Sequence, residues 1–233
     1  MNDNIIIHLD NVTISQRELT ILKNVSFKVE RGEFIYLIGK TGSGKSSILK
    51  ALYAENPIKK GVAEVSGYSL VKIKRKNILS LRRKLGIVFQ DFQLLSDRSI
   101  ADNLEFVMKA TGWNDKKKMK AKIDELLTKV GMGNKGYKFP HQISGGEQQR
   151  IAIARALVND PELIIADEPT GNLDPETTYE IMKILFEISS NGKAVIIATH
   201  DYDMMQKFPS RTFRCENEGI VEINLAKAPE FLT

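Results

Sequence analysis

The run Gly39-Lys40-Thr41-Gly42-Ser43-Gly44-Lys45-Ser46 fits the pattern G-x-x-x-x-G-K-[ST] at every position. Its chemistry is anion binding. The glycines let the backbone wrap with its N–H groups turned inward. The helix that follows adds partial positive charge at its first turn. A nucleoside triphosphate suits such a cradle, with Lys45 bridging its β- and γ-phosphates, Ser46 ligating Mg2+, and Ser47 in the same binding set. A second chemical pair, Asp167-Glu168, ends the apolar run Leu163-Ile164-Ile165-Ala166. A carboxylate at a strand end beside bound phosphate can hold Mg2+ directly or through water, and Asp167 has that place. Glu168 can face the water that attacks the γ-phosphate and polarise it as a general base.

These groups need elements to position them. Phe34–Ile38 reads as the strand before the cradle and Ser46–Ala54 as the helix after it. Ile5–Leu9 and Ser26–Val29 read as further strands, with a turn at Glu30-Arg31-Gly32. Residues 62–75 read as short strands that turn at Ser66-Gly67. Asn77–Lys84 reads as a helix leading into the apolar run Leu85–Phe89. From about residue 91 to 143 the character changes. Met119, Ile123, Leu126, Leu127 and Val130 recur at helical spacing behind an N-cap at Asn114 or Asp115, and Gly131 is the stop. That stretch reads as a small helical sub-domain. Leu163–Ala166 and Val195–Ala198, alternating with helices, argue for a parallel sheet buried on both faces. In such a sheet, ligands bind beyond the carboxyl ends of the strands.

The composition is that of a folded soluble chain of 233 residues, 42% hydrophobic and 27% charged. No apolar run approaches the ~20 residues of a membrane span, and MNDNIII lacks the pattern of a secretory signal. The one cysteine, Cys215, excludes an internal disulfide and suits a reducing cytoplasm. His8, His141 and His200 lie too far apart in sequence to form a metal-ligand cluster. The formal charge of +5 is compatible with an anionic partner. The lysine-rich stretches Lys72–Lys84 and Lys109–Lys138 read as solvated helical faces.

Ile143-Ser144-Gly145-Gly146-Glu147-Gln148-Gln149-Arg150 resembles the LSGGQ signature of ABC ATPases, with isoleucine in the leucine position. With the cradle and the acid pair, the likeness extends over roughly residues 5–222. The interval from Lys45 to Ser144 lacks the long coiled-coil insertion of ABC-type chromosome and repair ATPases. The resemblance implies an α/β fold: an ABC-type P-loop NTPase core with an N-terminal antiparallel β subdomain and an inserted α-helical subdomain. It implies one domain over residues 1–233, with 1–90 and 144–233 as the nucleotide-binding core and 91–143 as the helical insertion. It also implies hydrolysis of ATP to ADP and phosphate with Mg2+. The working unit would be a homodimer in which Ser144, Gly145, Gly146 and Glu147 of one chain complete the ATP site of the other. Gln90 resembles the Q-loop glutamine that senses Mg2+ and the attacking water. His200 resembles the switch histidine on the γ-phosphate. Gly171-Asn172-Leu173-Asp174 resembles the D-loop that crosses the dimer interface. Lys45, Gln90, Glu168 and His200 then form the catalytic set, and Ser46, Gln90 and Asp167 the metal set.

Within the family, the stretches Arg82–Arg98 and Ala166–Asp174 resemble most the FtsE group. That likeness implies an integral membrane partner, an FtsX-like permease. It further implies control of peptidoglycan hydrolases in cell division, a peripheral position on the cytoplasmic face of the plasma membrane, and no nucleic acid. The second stretch is shared with lipoprotein-release and macrolide-export ATPases, which form the alternative. A soluble ABC protein acting on nucleic acid is the alternative of another class. Phe92–Trp113, with Phe92, Leu94, Leu95, Phe106, Met108 and Trp113, is expected to dock the membrane partner. The family stacks adenine on an aromatic residue near position 16, and Thr13-Ile14-Ser15-Gln16-Arg17 contains none. The likeness does not extend to the tail Asn224–Thr233.

Overall fold

A computed structural model describes residues 4–16 and 19–224. The period-two runs of the N-terminal region form a four-stranded antiparallel sheet. Its strands are β1 (Ile5–Gln16), β2 (Leu19–Glu30), β4 (Val62–Val65) and β5 (Tyr68–Ser69), in the order β2-β1-β4-β5. The strand expected over Ile5–Leu9 continues to Gln16. Apolar alternation lapses at Asp10-Asn11 because the pairing with β2 shifts register between Leu9 and Val12, where Asn11 takes φ 51°.

The six-stranded sheet holds β3 (Phe34–Ile38), β6 (Leu85–Val88), β7 (Leu163–Asp167), β8 (Ala194–Ala198), β9 (Arg211–Glu216) and β10 (Gly219–Ile223). Its order is β10-β9-β3-β8-β7-β6, parallel except for the β9–β10 hairpin. Side-chain alternation sends each parallel strand into two cores. Phe34, Tyr36, Ile38, Ile164, Ala166, Val195 and Ile197 face one apolar cluster, and Ile35, Leu37, Leu163, Ile165, Ala194, Ile196 and Ala198 face the other. The second cluster joins the antiparallel sheet and α1 (Lys45–Leu52). The first takes its remaining bulk from α3 (Ile100–Ala110), α4 (Lys116–Lys129), α5 (Gly145–Ala156) and α6 (Pro175–Ser190). The helices between residues 91 and 143 therefore share their core with the main sheet.

Capping chemistry fixes where the helices start. Of the two candidate caps for α4, Asp115 serves, accepting from the N–H groups of Lys117 and Lys118. Ser99 caps α3, and Asp174 caps α6 ahead of Pro175. The helix expected at Asn77–Lys84 runs as α2 (Arg75–Arg83), and α7 spans Tyr202–Lys207. No helix among the described residues is long and apolar enough to cross a membrane.

Candidate active site

Strand register brings the chemistry to one edge. Leu37 of β3 and Asp167 of β7 both pair with Ala198 of β8, and Val88 of β6 pairs with Ala166. Neighbouring strands lie about 4.8 Å apart. The exits of β3, β8, β7 and β6 therefore deliver the glycine-rich loop, His200, Asp167-Glu168 and Gln90 side by side. Gly39, His200, Glu168 and Gln90 each stand within two positions of a strand end, which leaves them little freedom to stray.

The loop from Gly39 to Gly44 is a strand-to-helix turn with left-handed glycines at positions 42 and 44, φ 81° and 103°. Gly39 takes φ 141°, and a Cβ there would lie 2.6 Å from both the Cys215 carbonyl oxygen and Ser43 Oγ. Only glycine fits that approach. Lys45 is 9% exposed, and its Nζ donates to the carbonyl oxygens of Gly39 at 2.8 Å and Lys40 at 3.4 Å. The Ser43 hydroxyl is buried without a hydrogen-bond partner. A buried hydroxyl left unpartnered in a glycine-rich strand-to-helix turn is fitted to an anionic oxygen. Ser46 and Ser47 open α1 directly behind it. Burial pushes the neighbouring Cys215 thiol up to about 12, so it remains an unreactive packing group.

Glu168 has the left-handed φ of 47°, uncommon for a glutamate. Its N–H donates to Ala198 at 2.9 Å and its carbonyl accepts from Gly171 at 3.2 Å. This turn carries the carboxylate to His200, with Oε2 2.9 Å from Nδ1. Glu168 is 18% exposed at the side chain and His200 72%, so the histidine faces outward from an inward carboxylate. Together with Thr170, Leu173, Thr199 and Asp201 they line a cleft of about 270 Å3. Gln90 is exposed at the exit of β6 and directs its amide at Gly171, where a Cβ would meet Nε2 at 2.9 Å.

The Ser144-Gly145-Gly146-Glu147 turn begins α5. Ser144 Oγ accepts from the Glu147 N–H at 3.3 Å, and the Glu147 carboxylate accepts from the Ser144 N–H at 2.9 Å. The same carboxylate meets Lys135, whose ammonium holds it below the ordinary glutamate range. Its carboxylate thus closes the cap of its own helix, a task distinct from the nucleotide contact expected for it. The amides of Gly145 and Gly146 remain as free donors of a first helical turn. Gly146 is buried, and a Cβ there would lie 2.2 Å from Cγ2 of Thr177 in α6. Gly145 lies instead near the Phe92 ring and Leu173. Two residues that no local motif marks hold the loop after β6. Arg155 of α5 donates to the Phe92 carbonyl at 2.8 Å and also to that of Gln93. Asn103, 1% exposed, bonds to both backbone polar groups of Leu95.

A phosphate cradle, an acid pair and a histidine at adjacent exits of a parallel sheet define a P-loop nucleotide hydrolase. Comparison with known proteins narrows this. Residues 22–171 match the family model described as ABC transporter. Over 87% of both chains, the protein is 45% identical to the cell division ATP-binding protein FtsE of Streptococcus pneumoniae. It is 37% identical to the methionine import ATP-binding protein MetN of Nocardia farcinica, spanning 62% of that protein's length. Among solved structures, the ATP-binding cassette MJ0796, a dimer in a post-hydrolysis state with ADP and Pi, is 30% identical. It superposes with a TM-score of 0.81 over 94% of this chain and 98% of that one. The chain belongs to the ABC transporter family, as an ATPase of the FtsE-like kind.

Proposed function

We propose that this chain powers a membrane complex in cell division, as a homodimer on the cytoplasmic face, bound to an FtsX-like integral membrane partner. The Glu168–His200 pair beside the cradle carries the catalytic half of this reading. Lys45 exchanges its contacts with Gly39 and Lys40 for the β- and γ-phosphates, and the Ser43 hydroxyl and the loop amides bind the remaining oxygens. Ser46, Asp167 and Gln90 are oxygen donors that would hold Mg2+, which would supply positive charge against that of the phosphates. Glu168 takes the proton of the attacking water, and His200 holds the Glu168 carboxylate in place while facing the γ-phosphate. The Ser144–Gly146 turn of a second chain closes on that phosphate through its free amides.

The name of the S. pneumoniae relative supports the cell-division role. The surface beyond Gln90 supports the partner. Met108 is fully buried and Trp113 is engaged through Nε1 with Asn159, so these two belong to the core. Phe106 is 48% exposed, with Arg98 over its ring, and Tyr137 is 75% exposed on the segment hydrogen-bonded to the start of α3. These two aromatic rings are the docking points. Tagged chain recovered from detergent-solubilised membranes should bring down an FtsX-like protein, and Phe106→Asp should lose it while retaining the isolated chain's ATPase rate. Recovery of a lipoprotein-release or export permease would move the chain to that branch. Undiminished recovery by Phe106→Asp would displace the docking surface.

A further inference from the structure

We propose that Arg155 is a positioning residue for hydrolysis: with Phe92 it tethers the loop after β6 along α5 and so sets the place of the Ser144–Gly146 turn. The loop touches α5 twice. The Phe92 ring lies against the helix start, its Cζ 3.5 Å from the point a Gly145 Cβ would occupy. The second contact comes from Arg155, whose backbone stands about 15 Å along the helix from Gly145: its guanidinium reaches back to donate to two consecutive loop carbonyls, Phe92 at 2.8 Å and Gln93. A planar fork with fixed donor spacing suits paired acceptors in a way that an ammonium does not.

The loop needs that hold. Phe92 and Gln93 are consecutive non-glycine residues in the left-handed region, φ 57° and 48°, and the Gln93 N–H reaches back to the Asp91 carbonyl at 2.5 Å. Backbone of this kind persists only where its surroundings impose it. Arg155 is desolvated, which lowers its pKa, while Asp91 acts in the opposite direction. The guanidinium is half-buried and spends its donors on the loop. Freed of Arg155, the pair would relax toward right-handed or extended backbone and carry the ring away from Gly145. Leu173 lies 3.6 Å from the same Gly145 position, and Gly171 lies beside the Gln90 amide. A displacement of Gln90 is thus felt at the Ser144–Gly146 turn through two contiguous contacts. This inference rests on the reading that the turn closes on the nucleotide of a second chain.

The test is steady-state ATPase kinetics on the full chain, with thermal melts confirming the fold. Arg155→Met and Phe92→Gly should each lower kcat about tenfold with KM for ATP unchanged, and the double variant should be no slower than the worse single one. Multiplied losses in the double variant would show two independent effects and overturn the tether. So would a raised KM at unchanged kcat. Arg155→Lys keeps the charge and one donor axis and should fall between wild type and methionine. Gln93→Gly forms left-handed backbone without strain, so it should partly rescue Arg155→Lys; absence of rescue overturns the proposal even if Arg155→Met does not fold. A wild-type chain without ATPase activity, or a Glu168→Gln chain that does not dimerise with ATP, would instead refute the functional reading beneath it.

Discussion

Glu168 and His200 lie 2.9 Å apart, with the carboxylate inside and the imidazole outside, and in the proposed function Glu168 is the base. Removing the charge of Glu168 removes the base and leaves every phosphate contact. Glu168→Gln should therefore bind ATP as wild type does and lose about 10^2- to 10^4-fold in turnover. Equilibrium dialysis and phosphate release measure the two quantities, and near-normal release would take Glu168 out of that role. Glu147 gives a pH signature. Lys135 and the Ser144 N–H depress its pKa in the fold. A carboxylate with a depressed folded value adds stability above its unfolded value, and that stability is lost as pH falls through the folded value. The melting-temperature advantage of wild type over Glu147→Gln should thus shrink on acidification below the ordinary glutamate range. A constant difference across pH 7 to about pH 3 would mean that the ion pair adds nothing.

Elements meet through small residues. Gly86 of β6 lets the backbone of α5 approach, since a Cβ there would lie 2.6 Å from the Ala156 carbonyl oxygen. Gly146 does the same between α5 and α6. A side chain at 146 meets Thr177 of its own chain before any phosphate. Gly146→Ala should cost about 1–3 kcal/mol by overpacking. Gly145→Ala makes ordinary contacts and should cost less. Thr177→Ser, which removes the obstructing methyl, should restore most of the loss in a chemical denaturation series, and no restoration would place the fault elsewhere. The β1–β2 hairpin bears on base choice. Its last pair, Gln16 and Leu19, carries no aromatic ring, and Leu19 is 67% exposed. Residue 17 lies outside the described residues. The cradle reads phosphates, so ATP and GTP should compete within about tenfold of each other for a labelled ATP analogue. A hundredfold preference for ATP would show a platform supplied by another residue.

At the scale of the molecule, each chain presents two anion-binding helix starts, one at α1 and one at α5. Within one chain they belong to different elements. In the proposed function a second copy brings the phosphate to the second. Glu168→Gln with ATP should elute from a sizing column as a dimer and without nucleotide as a monomer. A monomer under both conditions would leave the Ser144–Gly146 turn without its proposed partner. The net charge of +5 needs no polyanion to explain it. Lys116, Lys117, Lys118, Lys120 and Lys129 lie exposed along α4, where Lys122 pairs with Glu125, and α2 exposes Lys76 with Arg75, Arg82 and Arg83.

The phosphate cradle, the acid pair and the strands that carry them were legible from residue order alone. Each is a local pattern whose chemistry depends on neighbours in the chain. Residue order also located β3, β7 and β8 closely, because strands buried on both faces appear as unbroken apolar runs. The tail beyond Asn224 lies outside the described residues. Whatever depends on distance between elements was visible in the folded chain and not before. The register of four strands brought Gln90, Glu168 and His200 to one edge. Thr177 claimed the space beside Gly146, and Lys135 claimed the carboxylate of Glu147. Met108 and Trp113 were drawn into the core while Phe106 stayed outside. Arg155 was matched with two carbonyls more than sixty positions back in the chain. No periodicity marks such pairings, because packing sets them and spacing along the chain does not.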